Sequence, residues 1–243
     1  MTMKINHYKN DSDVSYALGI ALVFELIKTA PKLLTRIFLS PGLNKTSEKV
    51  EEIISFCKKH NIEIVENSKP FNVLAPKGNT FIIAEFKKEY QKLKNDEDHI
   101  VLVNPSDAGN VGTIIRSAIG FNFTNIAIVS PAVDVYNPKS IRASMGAIFH
   151  TNIYYYDNIE EYIKEFPNHN RYAFMLRNAS EFSKTVIESP FSLIFGNEAS
   201  GLPDNFADFC KPIKIQQTEN IDSLSLPMAA TIAMYENRKI DNK

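Results

Sequence analysis

Between residues 99 and 215 the chain returns six times to a short apolar run: His99–Val103, Asn125–Val129, Asn152–Tyr156, Arg171–Leu176, Phe191–Phe195 and Pro212–Ile215. The runs are rich in Ile, Val, Phe and Tyr, and helical patterns lie between most of them. A longer helical pattern follows, from about Ser223 to Arg238. Parallel strands need long crossovers, and crossovers place helices on both faces of the sheet. Strand–helix alternation of this kind therefore predicts an α/β fold with a mainly parallel sheet. No internal repeat or low-complexity tract interrupts it.

The first part of the chain reads as a smaller α/β unit. Asp13 is placed to cap a helix reaching Lys28, with Val14, Ala17, Leu18, Ala21, Leu22 and Glu25 at helical spacing and Pro31 beyond. Leu33–Leu39 reads as a strand. Ser47, Val50, Ile53, Ile54 and Cys57 give an amphipathic helix. Ile62–Val65 and Thr80–Phe86 read as strands, with Pro70 and Pro76-Lys77-Gly78-Asn79 marking loops between them. The polar stretch Lys87–Asp98 suits a linker or a solvated helix. The expected domains are 1–95 and 96–243.

Charge separates the same two parts. The whole chain carries a formal charge of −1. Residues 1–95 hold 15 Lys/Arg against 10 Asp/Glu, and residues 96–243 hold 12 against 18. A basic first part is compatible with a phosphate backbone, and equally with ordinary solvated lysines. The longest apolar run near the start, Val14–Phe24, is too short to span a bilayer and is flanked by Asp11, Asp13 and Glu25. Cys57 and Cys210 form no CxxC motif, and five scattered His residues give no HxxxH pair. A cytoplasmic, reduced protein without membrane segment or metal is expected. GxGxxG, Walker A and GxSxG patterns are absent from the sequence.

What remains is a set of small-residue segments at expected strand ends, where ligands bind in open α/β sheets. The first is Asn104–Arg116. Asn110 is placed as a helix N-cap, Val111, Ile114, Ile115, Ala118 and Ile119 form an apolar side, and Thr113, Arg116, Ser117 and Gly120 the other. Arg116 then either grips a phosphate or is a surface arginine on a capped helix. The second is Phe195-Gly196-Asn197-Glu198-Ala199-Ser200-Gly201-Leu202-Pro203. Gly196 and Gly201 permit close backbone approach to a ligand, and Glu198 is placed to anchor Asn or Arg; an ordinary strand-to-helix turn reads the same way. The third runs from Ile215 to Ser223, Leu224 and Ser225, where the serines either serve a site or merely cap the last helix. A fourth, Tyr136–Ala147, carries Arg142, Ser144 and Gly146.

In order and at these separations, the segments resemble the SpoU-type (TrmH-like) RNA 2′-O-ribose methyltransferases of the SPOUT superfamily. Asn110–Arg116 matches the first family motif, NxGxxxR. Arg142–His150 matches the segment that follows it. Phe195–Pro203 matches the second motif, and Ser223–Ser225 with Ala229, Tyr235 and Glu236 the third. The resemblance covers about 140 residues. The basic first part also resembles the ribosomal-protein-like RNA-binding domain often attached to these enzymes.

The resemblance implies a C-terminal trefoil knot, S-adenosyl-L-methionine as cofactor, structured RNA (ribosomal RNA foremost) as substrate, and a homodimer. It places Arg116 as the residue that orients the ribose hydroxyl across the dimer interface. Asn110 and Glu198 position Arg116, and Ser223 and Ser225 stand on the target side. Gly196, Asn197, Gly201, Ile215 and Leu224 fall on the cofactor side. Two departures stand out. Ser225 replaces the usual Asn of SLN, and Gln216 and Glu219 stand where the family carries Pro and Gly. A side chain at Glu219 is expected to crowd the cofactor loop or to demand another backbone path. The alternative they motivate is a catalytically impaired, RNA-binding relative.

Overall fold

A single glycine decides how the chain begins. The run Val14–Phe24 is apolar on every side, so its period does not distinguish helix from strand. The computed structural model describes residues 7–76 and 78–238, so the loop residue Lys77 lies outside it. In it Gly19 adopts φ +102°, and its N–H donates to Ile82 O at 2.9 Å. The expected single helix from Asp13 is therefore two elements. They are strand β1 (Val14–Leu18) and helix α1 (Ile20–Thr29).

Next come β2 (Leu34–Leu39), α2 (Glu48–Lys59), β3 (Glu63–Glu66), α3 (Lys69–Leu74) and β4 (Ile82–Lys87). These four strands form one sheet in the order β1-β4-β2-β3, antiparallel except for the β2–β3 pair. Helix α2 shows why it forms. Val50, Ile53 and Cys57 are buried on one face, Glu48 and Glu51 open the helix, and Lys58 and Lys59 close it, matching its dipole. Pro70, read as a loop marker, instead occupies the first turn of α3, where its missing N–H costs nothing.

The remaining elements are β5 (His99–Val103), α4 (Ala108–Gly120), β6 (Asn125–Val129), α5 (Pro138–Ser144), β7 (Asn152–Tyr156), α6 (Ile159–Glu165), β8 (Asn170–Phe174), β9 (Ser180–Glu181), β10 (Phe191–Phe195), β11 (Lys211–Lys214) and α7 (Leu226–Glu236). The strands form a seven-stranded, wholly parallel sheet in the order β7-β6-β5-β10-β8-β11-β9. Every residue of β6 and β10 is buried, as parallel strands covered on both faces require. No described helix is long and apolar enough to cross a membrane.

The chain divides into two compact units. One runs to Glu89 and takes back Asp134–Phe149; the other holds Tyr90–Val133 and continues from His150. The excursion Asp134–Phe149 thus leaves the parallel sheet between β6 and β7 and folds with the four-stranded unit. There Asp134 accepts from Lys88 Nζ at 2.7 Å and from the Tyr8 hydroxyl, and Ser15 Oγ donates to Tyr136 O at 2.5 Å. The polar stretch after Lys87 is neither helix nor free linker. Leu93 is buried in the core of the parallel-sheet unit, Gln91 N–H donates to Ile153 O at 3.1 Å, and Lys94 N–H to Asn125 Oδ1 at 3.2 Å. One leucine among polar residues suffices to seat an extended segment.

Candidate functional site

The sheet order places β5 between β6 and β10, so the chain leaves β5 in one direction and returns on the other side. Crevices at such a switch point, beyond the carboxyl ends of the strands, are where ligands bind in parallel sheets. A cavity of about 210 Å³ opens at the carboxyl ends of β10, β8 and β11. Phe174 at the end of β8 and Phe195 at the end of β10 stack in its wall, with centroids 4.4 Å apart and planes 13° from parallel.

Two loops complete the enclosure. The first, Gly196–Gly201, is locked. A Cβ on Gly196 would lie 2.2 Å from the carbonyl carbon of Gly201, so only glycine fits. Asn197 and Gly201 exchange backbone hydrogen bonds of 3.2 and 2.9 Å, and Gly201 takes φ +68°. The Asn197 side chain is used at both ends. Its Oδ1 accepts from the N–H of Ala199 and Ser200, and its Nδ2 donates to Asn104 O at 2.8 Å.

Glu198 reaches from this loop to the segment after β5. One carboxylate oxygen accepts from Ser106 N–H at 3.0 Å and Ser106 Oγ at 2.7 Å. The other accepts from Asp107 N–H at 3.1 Å and Asn110 Nδ2 at 3.2 Å. Burial pushes the carboxyl up, but the bonds from the Ser106 hydroxyl and N–H, its own N–H and Asn110 outweigh it and hold the group below the ordinary carboxylate range. Glu198 is thus an anion at neutral pH.

The cap of α4 differs from the sequence expectation. Asp107, not Asn110, is the N-cap: its side chain accepts from Asn110 N–H at 2.9 Å. An Asp two residues before Gly109 starts the helix a turn earlier than the motif alone implies. Asn110 then sits in the first turn, and its amide is available to Glu198. The two faces of α4 fall as expected. Val111, Ile114, Ile115 and Ala118 are buried, while Arg116 is exposed on the opposite side. Ser117 accepts from Thr231 Oγ1 of α7 at 2.9 Å, fastening the two helices together.

The second loop, Ile215 to Ser225, is held by side chains. Ser183 Oγ donates to Gln216 Oε1 at 2.8 Å, and Gln217 Nε2 donates to Asp222 O at 3.2 Å. Ile215, Gln217, Ser223 and Leu224 line the cavity. Glu219 is exposed and stands outside the lining, so the crowding expected of it does not occur. The backbone turns at Glu219-Asn220 and carries its side chain to solvent.

Of the ten residues singled out, the structure gathers Gly196, Asn197, Glu198, Gly201, Ile215, Ser223 and Leu224 around one cavity and ties Asn110 to it through Glu198. It does not bring in Arg116 or Ser225. Both are exposed, Ser225 as the N-cap of α7 without a side-chain capping bond. Phe174, Met175, Leu176, Ile213 and Lys214 line the cavity unanticipated. Their signal was position alone, at or just beyond the ends of β8 and β11. The donor set fits S-adenosylmethionine. Stacked rings and aliphatic walls suit a purine and thioether, small residues expose backbone polar groups, and Glu198 and Lys214 carry charge among the described lining residues.

A family model for the SpoU rRNA methylase family matches residues 97–235. Ribosomal RNA small subunit methyltransferase G 2 of Syntrophobacter fumaroxidans is 30% identical over 138 residues, covering 56% of this chain and 26% of that protein. The 23S rRNA (uridine(2479)-2′-O)-methyltransferase of Streptomyces viridochromogenes is 28% identical over 146 residues, covering 56% of this chain and 50% of that protein. The chain therefore spans between about a quarter and a half of the length of these relatives. The fold is shared with the AdoMet-bound rRNA methyltransferase from Sinorhizobium meliloti, at TM-score 0.80 and 23% identity over 92% of this chain and 86% of that one. With more than half of its length matched by the family model, and the motif residues Asn110 and Glu198 hydrogen-bonded beside one cavity, the chain belongs to the SpoU rRNA methylase family, RNA methyltransferases that draw their methyl group from S-adenosylmethionine.

Proposed function

We propose that this protein methylates a ribose 2′-hydroxyl in structured RNA, ribosomal RNA foremost, and that it works as a homodimer. The observation that carries the reading is the Glu198 carboxylate. It binds the start of the first-motif helix to the loop that walls the cavity, so the residues of two motifs move as one body. When bound, S-adenosylmethionine supplies an activated methyl on a sulfonium. The protein's task is then alignment of the hydroxyl and stabilisation of its developing negative charge.

Asn110 and Glu198 are positioning residues in this reading, and Ser223, which lines the cavity, holds the target nucleotide. Arg116 lies six residues beyond Asn110, about 9 Å along the helix. It faces away from the buried side and outside its own chain's cavity. We place it at the partner subunit's cavity, where its fixed positive charge orients the hydroxyl and stabilises the alkoxide. The basic first part of the chain supplies the RNA-binding surface, and Gly196–Gly201 with Ile215–Ser225 form the knotted cradle around the cofactor. The exposed position of Glu219 weighs against an impaired relative.

Subunit mixing tests this directly. Arg116→Ala is expected to lower methyl transfer at least about a hundredfold, as loss of one electrostatic stabiliser does, while calorimetry shows cofactor binding intact. Mixing it with a variant blocked in the cavity, Gly196→Ala, should restore activity, because one mixed dimer site then holds both intact halves. No restoration contradicts the placement across the interface, and full activity of Arg116→Ala contradicts the role.

A further inference from the structure

A buried polar cluster lies at the amino ends of the parallel strands, away from the cavity and without a task in methyl transfer. His99 opens β5, Tyr162 stands on α6, Ser192 is in β10, and His169 comes just before β8; all four are buried. Each histidine spends its Nε2 on the backbone of the polar segment that precedes β5. His99 Nε2 lies 2.9 Å from Lys94 O, and His169 Nε2 3.0 Å from Asn95 O. A carbonyl only accepts, so both Nε2 atoms carry a proton, and in the neutral rings both Nδ1 atoms are bare acceptors. Two hydroxyls lie between these acceptors. His99 Nδ1 is 2.9 Å from Tyr162 Oη, Tyr162 Oη is 2.6 Å from Ser192 Oγ, and Ser192 Oγ is 3.0 Å from His169 Nδ1. Each of these contacts needs a proton to be a hydrogen bond, and the hydroxyls supply one too few. The short oxygen–oxygen contact must hold one, so Ser192 donates to Tyr162 and Tyr162 donates to His99. The bare contact is then His169 Nδ1 against the Ser192 oxygen, where two lone pairs face each other.

We propose that this cluster is a binding site for one proton, taken up from solvent at His169 Nδ1 and held without loosening the segment that the two histidines grip. The new N–H donates to Ser192 Oγ, the two hydroxyl protons stay where they are, and every contact in the run becomes a hydrogen bond. Both Nε2–H bonds survive, so Lys94 and Asn95 remain fastened. The surroundings admit one charge and oppose a second. Burial lowers the proton affinity of His169; the carbonyl of Asn95, the Asp98 carboxylate and the carbonyl of Phe191 favour its charged form, and Arg171 of β8 opposes it. Asp98 is itself fixed, accepting from Phe191 N–H at 3.0 Å and Ser189 Oγ at 3.2 Å. The His99 ring lies 4.4 Å from that of His169. Burial chiefly holds His99 down to about 4; a charge on His169 adds to this, while Lys94 O, Asp98 and Glu97 act against it. On the side of α6, Tyr162 faces Ser192, Arg171, Cys210 and Glu165, and burial keeps the Tyr162 hydroxyl and the Cys210 thiol protonated. The ring of Phe166 closes the cluster against both histidines.

Nitrogen-15 imidazole spectra of the full chain, followed from mildly alkaline to acid solution, give the test. In alkali both rings should carry their proton on Nε2. On acidification His169 should take up a proton first, below the ordinary histidine value and above the value of about 4 held by His99. Amide exchange at Gln91 and Lys94, whose N–H groups seat the segment, should stay slow through that step and quicken only when His99 titrates. Ser192→Ala removes both the lone-pair clash and the acceptor for the new N–H. It should lower the His169 midpoint by about one to two pH units, as loss of a hydrogen bond to a charged group does. Tyr162→Phe gives an independent reading if that variant does not fold. It frees the Ser192 proton for His169, whose Nδ1 should then show the shift of a hydrogen-bonded acceptor while still neutral. A proton on Nδ1 of either neutral ring, titration of His99 before His169, or a segment that comes loose as His169 titrates overturns the proposal. So does a His169 midpoint unmoved by Ser192→Ala, or an unmoved Nδ1 shift in Tyr162→Phe.

Discussion

The two loops around the cavity are built on different principles. Gly196–Gly201 is locked by its backbone: a glycine with no room for a Cβ, a pair of mutual hydrogen bonds, and an Asn and a Glu side chain whose acceptors are filled. Ile215–Ser225 is longer and largely exposed. Two amide side chains steady it, Gln216 on Ser183 and Gln217 on Asp222. The first is a frame that transmits position from one motif to another. The second is a wall whose exposed turn carries Gln216 and Glu219 toward solvent, so they stand there without filling the cavity.

The sharpest way to break this contrast is Gly196→Ala. The new methyl meets backbone, which has no cheap way to yield, so the loop must open. Overpacking of this kind costs about 1–3 kcal/mol, and cofactor binding should be lost to calorimetric detection. Binding and melting temperature near those of the unaltered protein would show that the first loop is not locked.

Glu198→Gln comes next. An amide keeps one acceptor oxygen where five donors converge and brings a donor of its own against them. A loss of about 2–3 kcal/mol in transition-state stabilisation, some 30- to 150-fold in kcat/KM, is expected, because hydrogen bonds to a charged group carry about 1.5–3 kcal/mol each and two or more are disturbed. A kcat/KM unchanged by this substitution removes the link between the motifs.

Acid separates the loops by a third route. The Glu198 carboxyl has a folded pKa below its ordinary value, so its contribution is complete at neutral pH and is lost as pH falls through that folded value. The amides of the second loop do not titrate. A background effect comes from the amino end of β5. There burial pushes His99 down to about 4 against the opposing hydrogen bond to Lys94 O, while its other ring nitrogen meets Tyr162 Oη. Its unfolded form takes up a proton first, so overall stability falls between about pH 6.5 and about 4, by about 3 kcal/mol at most. Thermal shifts on added cofactor, compared between the unaltered protein and Glu198→Gln, remove that background. The advantage of the unaltered protein should shrink only at the acid end. A pH-independent difference would mean that the charge of Glu198 does not matter.

The smallest effect belongs to Gln217→Ala. One neutral hydrogen bond at an exposed site is worth about 0.5–1.5 kcal/mol, so cofactor affinity should fall about two- to tenfold with kcat nearly unchanged. A loss as large as that of Gly196→Ala would erase the distinction between the loops.

Much of the frame was legible in the sequence. β5, β6, β7 and β10 match the expected strands to the residue, because each is a short run rich in Ile, Val, Phe or Tyr bounded by polar turns. What was not legible depends on partners distant in sequence. Val14–Leu18 reads as helix until β4 is beside it, and Gly19 then separates it from α1. β9 is two residues long and exists because β11 offers an edge. In the site, the motif residues were visible as motifs. Their roles as lock and brace were not, since Ser106, Asp107 and Asn104 acquire meaning only when β5 and β10 lie side by side.

The central claim is methyl transfer to a ribose hydroxyl of RNA. The most direct measurement is incubation of the protein with methyl-labelled S-adenosylmethionine and unmodified ribosomal RNA, followed by alkaline hydrolysis, which cannot cleave beside a 2′-O-methyl ribose. Label is expected in an alkali-stable dinucleotide and should disappear with Arg116→Ala. Label in mononucleotides, which places the methyl on a base, would contradict the claim, as would no label from a folded dimer that binds the cofactor.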